Sequence, residues 1–377
     1  MKLRRVRAMA RKEFLHIVRD KRSLVMALLV PLFMLVLFGY ALSLDVDHIP
    51  TLIVDHDGTP ASRDLRARFS GTPYFDVRGV ETSTALVNRE IDRGATLLAV
   101  VIPAGFHRGL ERGERPGVQL LLDGSDSNTA SIAINYAQAL ITVWAAERTA
   151  ERLDRTAGMR GAAPAEAQVR VWYNSDLRSR NYLIPGLIAV VLMIIAALLT
   201  SLTIAREWEN GSMEQLLSTP LRPAEIVLGK LAAYFAVGAV DVLTSVLMGI
   251  FVFEVPLRGS LLFLALASGI FLFGALSWGI LISAIAKTQL LAYQMGMLSS
   301  FLPAFLLSGF MYSIENMPRG IQIVSYIVPA RYFIAVLKAV YLKGEGMGLL
   351  WAQILFLTLY AAVVFLLATR KVGHKVA

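Results

Sequence analysis

Arg206 to Lys230 reads REWENGSMEQLLSTPLRPAEIVLGK, a polar island between two long apolar runs. Its first residues, Arg206, Glu207, Trp208 and Glu209, bring charges and an interfacial aromatic ring to the end of an apolar helix. Asn210-Gly211 follows, and glycine admits backbone angles that other residues avoid, so the helix is predicted to break there. Ser212 is predicted to cap a new helix through its hydroxyl, with Gln215 reaching back to complete a capping box. Glu214 falls in the first turn, where the helix dipole favours an anion. Met213 and Leu216 complete the helix, and Pro220 and Pro223 end it because neither continues a helix. The expectation is a helix of about two turns, held between two membrane spans and lying across their ends.

Composition agrees with that setting. Of 377 residues, 56% are apolar and 17% charged, against roughly 25% charged in soluble domains. These proportions imply a polytopic α-helical membrane protein. The chain has no cysteine, which excludes disulfides and thiolate metal sites. Its net charge of +9 gathers at the ends of apolar runs, the pattern of membrane topology and not of nucleic-acid binding.

Residues 1–22 hold a basic lead in which Leu3, Val6, Ala10, Phe14 and Ile17 recur at helical spacing. A basic amphipathic helix of this kind lies on an anionic lipid surface. Ser23–Leu44 is long enough to span, and Pro31 is expected to kink it. Ala41-Leu42-Ser43 resembles a signal-peptidase site, but the basic lead and the apolar run are both too long for a signal peptide. Further spans are expected at 183–205, 231–253, 261–284, 290–312 and 349–369, giving six transmembrane helices. Six crossings put both termini, the loop 206–230 and most of the Lys and Arg residues on the cytoplasmic side. Asn210-Gly211-Ser212 therefore matches a glycosylation pattern by chance.

Residues 45–180 differ from everything after them. Strand-like runs at 51–55, 74–80, 96–102, 118–123 and 169–173 alternate with helical patterns at 61–69, 82–93, 103–110 and 125–156. The alternation predicts an inserted extracytoplasmic α/β domain with four or five strands. Asp55, His56 and Asp57 are consecutive, so on a strand they cannot all face one ion, and an Asp-Gly turn is the expected outcome.

Asp241 is the one acid deep in a predicted span, about 11 residues beyond Lys230 and so near mid-bilayer. Burying it there costs several kcal/mol unless partners are found. It either lines a translocation path or bonds to Thr244 or Ser245.

The pattern RExENGSMEQLLSTPLxxxEIxxGK across 206–230 resembles the cytoplasmic loop of type-2 permeases of ATP-binding-cassette (ABC) exporters. The same family resemblance extends to GFMYSIENMP at 309–318 and YIVPARYFIAVLKAVYLKG at 326–344, in a subgroup with a large extracytoplasmic domain between the first two spans. It implies an elbow helix at 1–22, a coupling helix in 206–230 that docks a separate ATPase subunit, and a re-entrant outer segment at 313–348. It also implies a second permease chain, an envelope adaptor as a further partner, and export of drug-like or lipid-like amphipathic cargo across a bacterial inner or plasma membrane. The coupling residues would be Arg206, Glu207, Trp208, Glu209, Gly211, Ser212, Met213, Glu214, Gln215 and Leu216. The chain carries no phosphate-binding loop, since Gly229-Lys230 is followed by Leu231. It would thus bind no cofactor directly and leave ATP to its partner. Two other classes remain open at this point: a receptor or secretion scaffold sensing through the outer domain, and an ion-gradient-driven secondary transporter.

Overall fold

The computed structural model describes residues 2–41, 48–81, 84–114, 116–157, 178–286 and 288–374. The chain divides into two compact units, Leu44–Arg170 and Met1–Ser43 with Val171–Ala377.

In the first unit, a four-stranded sheet has the order β2-β1-β3-β4, formed by β1 (Ile49–Asp55), β2 (Phe75–Glu81), β3 (Leu98–Ile102) and β4 (Gln119–Leu122). β1 pairs parallel with β2 and β3, and β4 returns antiparallel to β3. β3 is apolar along its whole length because both its faces are covered. Ile53, Val100 and Ile102 meet Leu65 and Phe69 of α3 (Pro60–Ser70), Phe106 of α5 (Phe106–Glu111) and Trp144 of α6 (Ser127–Ala157). On the other face, Leu52, Val54 and Val101 meet Val87 of α4 (Thr84–Asp92). The strand expected at 169–173 lies outside the described residues.

The second unit begins with α1 (Leu3–Arg19) and α2 (Lys21–Ala41) and continues with α7 (Ser179–Glu209), α8 (Ser212–Leu217), α9 (Pro223–Phe251), α10 (Leu261–Ile285) and α11 (Gln289–Leu306). A 3₁₀ turn at Ile314–Asn316 leads to α12 (Arg319–Ser325), α13 (Pro329–Lys338), a π-helical turn at Ala339–Lys343, and α14 (Met347–His374). α7 is enclosed by the other helices along most of its length. α2 and α14 keep broad apolar faces exposed, with Met26, Phe33, Trp351 and Leu359 among them, as helices solvated by lipid do. Ser and Thr join neighbouring helices, where no water competes. The Thr200 hydroxyl lies 2.8 Å from the Leu276 carbonyl, and Ser283 Oγ accepts from the Ile204 and Ala205 amides, both at 2.9 Å.

Among the described residues, five helices (α2, α7, α9, α10 and α14) are long and apolar enough to cross a membrane. The run expected to span at 290–312 forms the 18-residue α11, which stops at Leu306 before the left-handed Gly309. Gln289, Tyr293, Gln294, Ser299 and Ser300 dilute its apolar character. α12 and the helix from Pro329 to Lys343 are bent 80° from each other, a broken span or re-entrant loop. α2 runs helical through Pro31. α1 packs through Met9, Glu13 and Ile17, while Leu3 and Phe14 of the expected apolar stripe stay exposed.

Candidate functional site

The loop between α7 and α9 is built by one glycine and two prolines. α7 continues through Arg206, Glu207 and Trp208 to Glu209, and Gly211 adopts φ 70°, the left-handed conformation that ends a helix at little cost. Gly211, not Ser212, therefore caps α8, and the expected capping box at Ser212 and Gln215 does not form. The Ser212 hydroxyl turns back to the Glu207 carbonyl at 3.4 Å. Pro223 opens α9 at its first turn, where a missing amide costs nothing, rather than closing the preceding segment. Glu225 holds that end, accepting from the Arg222 amide at 3.1 Å and from the Lys2 amide at 2.7 Å.

α8 presents two different sides. Met213 is buried in the apolar cluster with Val227 and Leu231, and Trp208 and Leu216 pack against that cluster. Glu214 and Gln215 are exposed, as are Ser218, Thr219 and Pro220 beyond them.

Beneath α8 lies a buried ionic cluster. Lys230 Nζ sits 3.1 Å from Glu13 Oε1 and 3.1 Å from Glu207 Oε1, with the Lys230 side chain 1% exposed. Lys12 Nζ adds a contact of 3.2 Å to Glu207. One cation so joins α1, the end of α7 and the start of α9. The helices approach closely one residue earlier, where a Cβ on Gly229 would lie 2.5 Å from that of Met9. Glu209 and Arg206 turn the other way. Glu209 accepts from the Gln289 amide at 3.0 Å and its side-chain nitrogen at 3.1 Å, while Arg206 donates to Gln289 Oε1 at 3.2 Å.

Six of the ten expected coupling residues fall into two groups. Glu214 and Gln215 are exposed. Glu207, Glu209, Arg206 and Met213 fasten the loop to its own bundle, so reversing charge at Glu207 or Glu209 would disturb the fold as well as any docking. Sequence reading missed Glu13, Lys12, Lys230 and Gln289 as members of this site. A signal existed for the first: Glu13 is the one acid in the basic run from Lys2 to Arg19.

A cleft of about 380 Å³ lies beside the cluster. Ile17, Leu199 and Val237 form apolar wall, and His16, Arg206 and Tyr234 supply polar groups.

Asp241 is 1% exposed within α9. The Thr244 hydroxyl donates to the Val240 and Asp241 carbonyls, and Ser245 Oγ has no partner among the described residues, so neither satisfies the Asp241 carboxyl. Of the two alternatives open from the sequence, the bond to Thr244 or Ser245 is not formed.

An enclosed central helix and neighbours with broad exposed apolar faces are the architecture of a polytopic helical membrane protein. The sequence profile of the family described as "ABC-2 family transporter protein" matches residues 21–370, and the chain belongs to that family. It is 36% identical over 364 residues to "Probable multidrug ABC transporter permease YbhS" of Escherichia coli (strain K12), covering 96% of this chain and 95% of that protein. It is 32% identical over 347 residues to "Probable multidrug ABC transporter permease YbhR" of the same organism, with 92% of each covered. "Inner membrane transport permease YhhJ" of that strain is 28% identical over 317 residues, 83% of this chain and 81% of its own length. As in that family, the chain is a membrane-embedded permease subunit; ATP hydrolysis belongs to a separate partner chain, and the permease works in a dimeric arrangement.

Proposed function

We propose that this permease exports amphipathic or hydrophobic cargo, drug-like or lipid-like, from the cytoplasm or inner leaflet. The reading includes six crossings of a bacterial inner membrane, both termini in the cytoplasm, and residues 45–180 outside as a module that meets an envelope adaptor. ATP acts in partner subunits docked on 206–230. The observation that carries the reading is α8, whose Glu214 and Gln215 are exposed while Met213 is locked into the bundle. A push on α8 passes to α7 through the Gly211 turn, and through Lys230 to α1 and α9. Nucleotide shifts the permease between states only in so far as the partner binds those states differently.

The cleft beside α1 supports an amphipathic cargo, having apolar wall and polar groups together. The names of the relatives, two of them multidrug permeases, point the same way. Asp241 belongs to the same proposal as a buried group that meets the translocation path when the bundle opens. Reconstitution tests the whole. Inside-out vesicles holding the permease and its ATPase should accumulate an amphipathic dye with ATP; accumulation without the ATPase chain would overturn the reading.

A further inference from the structure

Asp241, Ser245 and Gly249 succeed one another at four-residue steps on one face of α9, and all three are buried. Both Asp241 carboxyl oxygens and Ser245 Oγ lack a hydrogen-bond partner among the described residues. At Gly249 the row continues with a different side chain. Tyr341 packs its hydroxyl 3.2 Å from where a Gly249 Cβ would lie, and that hydroxyl is also buried without a partner. Buried polar atoms without partners are rare, and each calls for an explanation. Here three groups in a row lack one.

Their spacing supplies the explanation. Four residues of helix rise about 6 Å. Two hydrogen bonds of roughly 2.8 Å through one water cover the same distance. Water settles in sites where it finds two or more polar partners, and each gap in this row offers them. Tyr341 stands in the π-helical turn Ala339–Lys343, and such turns often mark functional sites because they displace a side chain from the regular helical position. The same turn is tied to the connection between α9 and α10: the Arg258 amide donates to the Tyr341 carbonyl at 3.1 Å and the Gly259 amide to that of Val340 at 2.8 Å. The row therefore leads from the middle of α9 to the end of the bundle that carries Arg258.

Among the described residues no cation answers Asp241. α7 from 183 to 205, α10 throughout, and α14 from 347 to 369 contain no Asp, Glu, Lys, Arg or His, and α2 has none after Arg22. Tyr360 of α14 lies against Gly274 of α10. α1 reaches α9 through Ile17 at Ala233 and Val237, a turn short of Asp241, and its Glu13 is held by Lys230; Asp20 follows at its end. Lys338, a turn before Tyr341, sits over the Tyr182 ring. A carboxylate so placed has neither countercharge nor donor among the described residues, which leaves a proton and water to satisfy it.

We propose that Asp241, Ser245 and Tyr341 form a hydrated track through which protons reach Asp241 from the bundle end carrying Arg258, and that Asp241 alternates between carboxylic acid and carboxylate. The proton leaving Asp241 passes to the first water. Ser245 and Tyr341 each accept one proton and release one, so neither changes its net state. The track excludes larger ligands, because Asp241 and Ser245 are each 1% exposed and Tyr341 is fully enclosed. It rests on packing around α9 alone and stands whether or not an ATPase docks on α8.

Infrared difference spectroscopy on the full chain in lipid vesicles tests it. The expected result is a carboxylic-acid C=O band that disappears in Asp241→Asn, fades as the pH at the Arg258 face rises, and shifts in D2O. Tyr341→Phe and Ser245→Ala should keep the band but slow its D2O shift on the order of tenfold, the equivalent of one lost hydrogen bond. A band missing in wild type at every pH, or an exchange rate indifferent to both variants, would overturn the proposal. If either variant fails to fold, the wild-type band decides: a band that follows the pH at the Arg258 face supports the track, and one that follows only the pH at the opposite face refutes it.

Discussion

Lys230 and Glu13 stand 217 residues apart in sequence, yet their charged atoms meet at 3.1 Å inside the bundle. Glu207 receives the same ammonium at 3.1 Å. One lysine of α9 thus anchors the amphipathic α1 and the last turn of α7, so that both ends of the candidate coupling loop are tied to each other and to α1. An ionic cluster this deep is expensive to desolvate and is weak evidence for stability as such. Its consequence is mechanical: the elements cannot move apart without exposing a charge.

Removing the shared cation should be severe. Lys230→Met leaves the Glu13 and Glu207 carboxylates together with only Lys12 beside them. The expected loss is about 3–5 kcal/mol, read as a lower thermal unfolding midpoint in micelles. Lys12, with its side chain 58% exposed, should matter far less: Lys12→Met is expected to cost under about 1 kcal/mol. Equal effects from the two substitutions would contradict the geometry.

Gln289 links α7 to α11 through Arg206 and Glu209. Gln289→Ala keeps the backbone bond to Glu209 and loses both side-chain bonds. We expect a stability loss of about 1 kcal/mol, since the contact is near the surface. Coupling should suffer more than folding, with ATP hydrolysis by the partner retained and transport per ATP reduced. Paired rates in proteoliposomes check this, and unchanged stoichiometry would remove Gln289 from the coupling route.

The β1–α3 turn is expected to loosen in acid. Burial pushes the Asp57 carboxyl upward, but bonds from the Thr59 hydroxyl and from the His107 and Gly105 amides outweigh it and hold the group below the usual carboxylate range. A lowered folded-state value contributes stability that is complete above the unfolded value of about 4 and is lost as pH falls through the folded value. Hydrogen exchange on the full chain should show residues 57–63 and 105–111 losing protection at acid pH, with Asp57→Asn abolishing that dependence. Acid loss as large in the variant as in wild type would contradict it.

The local chemistry of the chain was largely legible. The strand expected at 51–55 is found at Ile49–Asp55, and that at 96–102 at Leu98–Ile102. β3 could be read because a strand covered on both faces is apolar at every position. Asp55 accepting from the Asp57 and Gly58 amides, at 3.0 and 2.9 Å, is the Asp-Gly turn written in the sequence. Ends of elements were less legible. Ser212 looked like a cap, but Gly211 had already taken the left-handed position that starts the helix. The run 290–312 looked like one continuous helix, yet the helix ends at Leu306, before the left-handed Gly309. The ionic cluster was the least legible part: Glu13 stood out as the one acid in a basic run, but nothing local in the sequence announces that residues 13, 207 and 230 share one site.

Cysteine cross-linking at α8 tests the central claim most directly, because the chain has no cysteine of its own and one introduced thiol is unique. Glu214→Cys should cross-link to the co-expressed ATPase chain in a nucleotide-dependent way, while Glu254→Cys, in the connection after α9, should not. Labelling of Glu214→Cys by an impermeant thiol reagent from outside the cell, or an ATPase cross-link from position 254 and none from 214, would contradict the account.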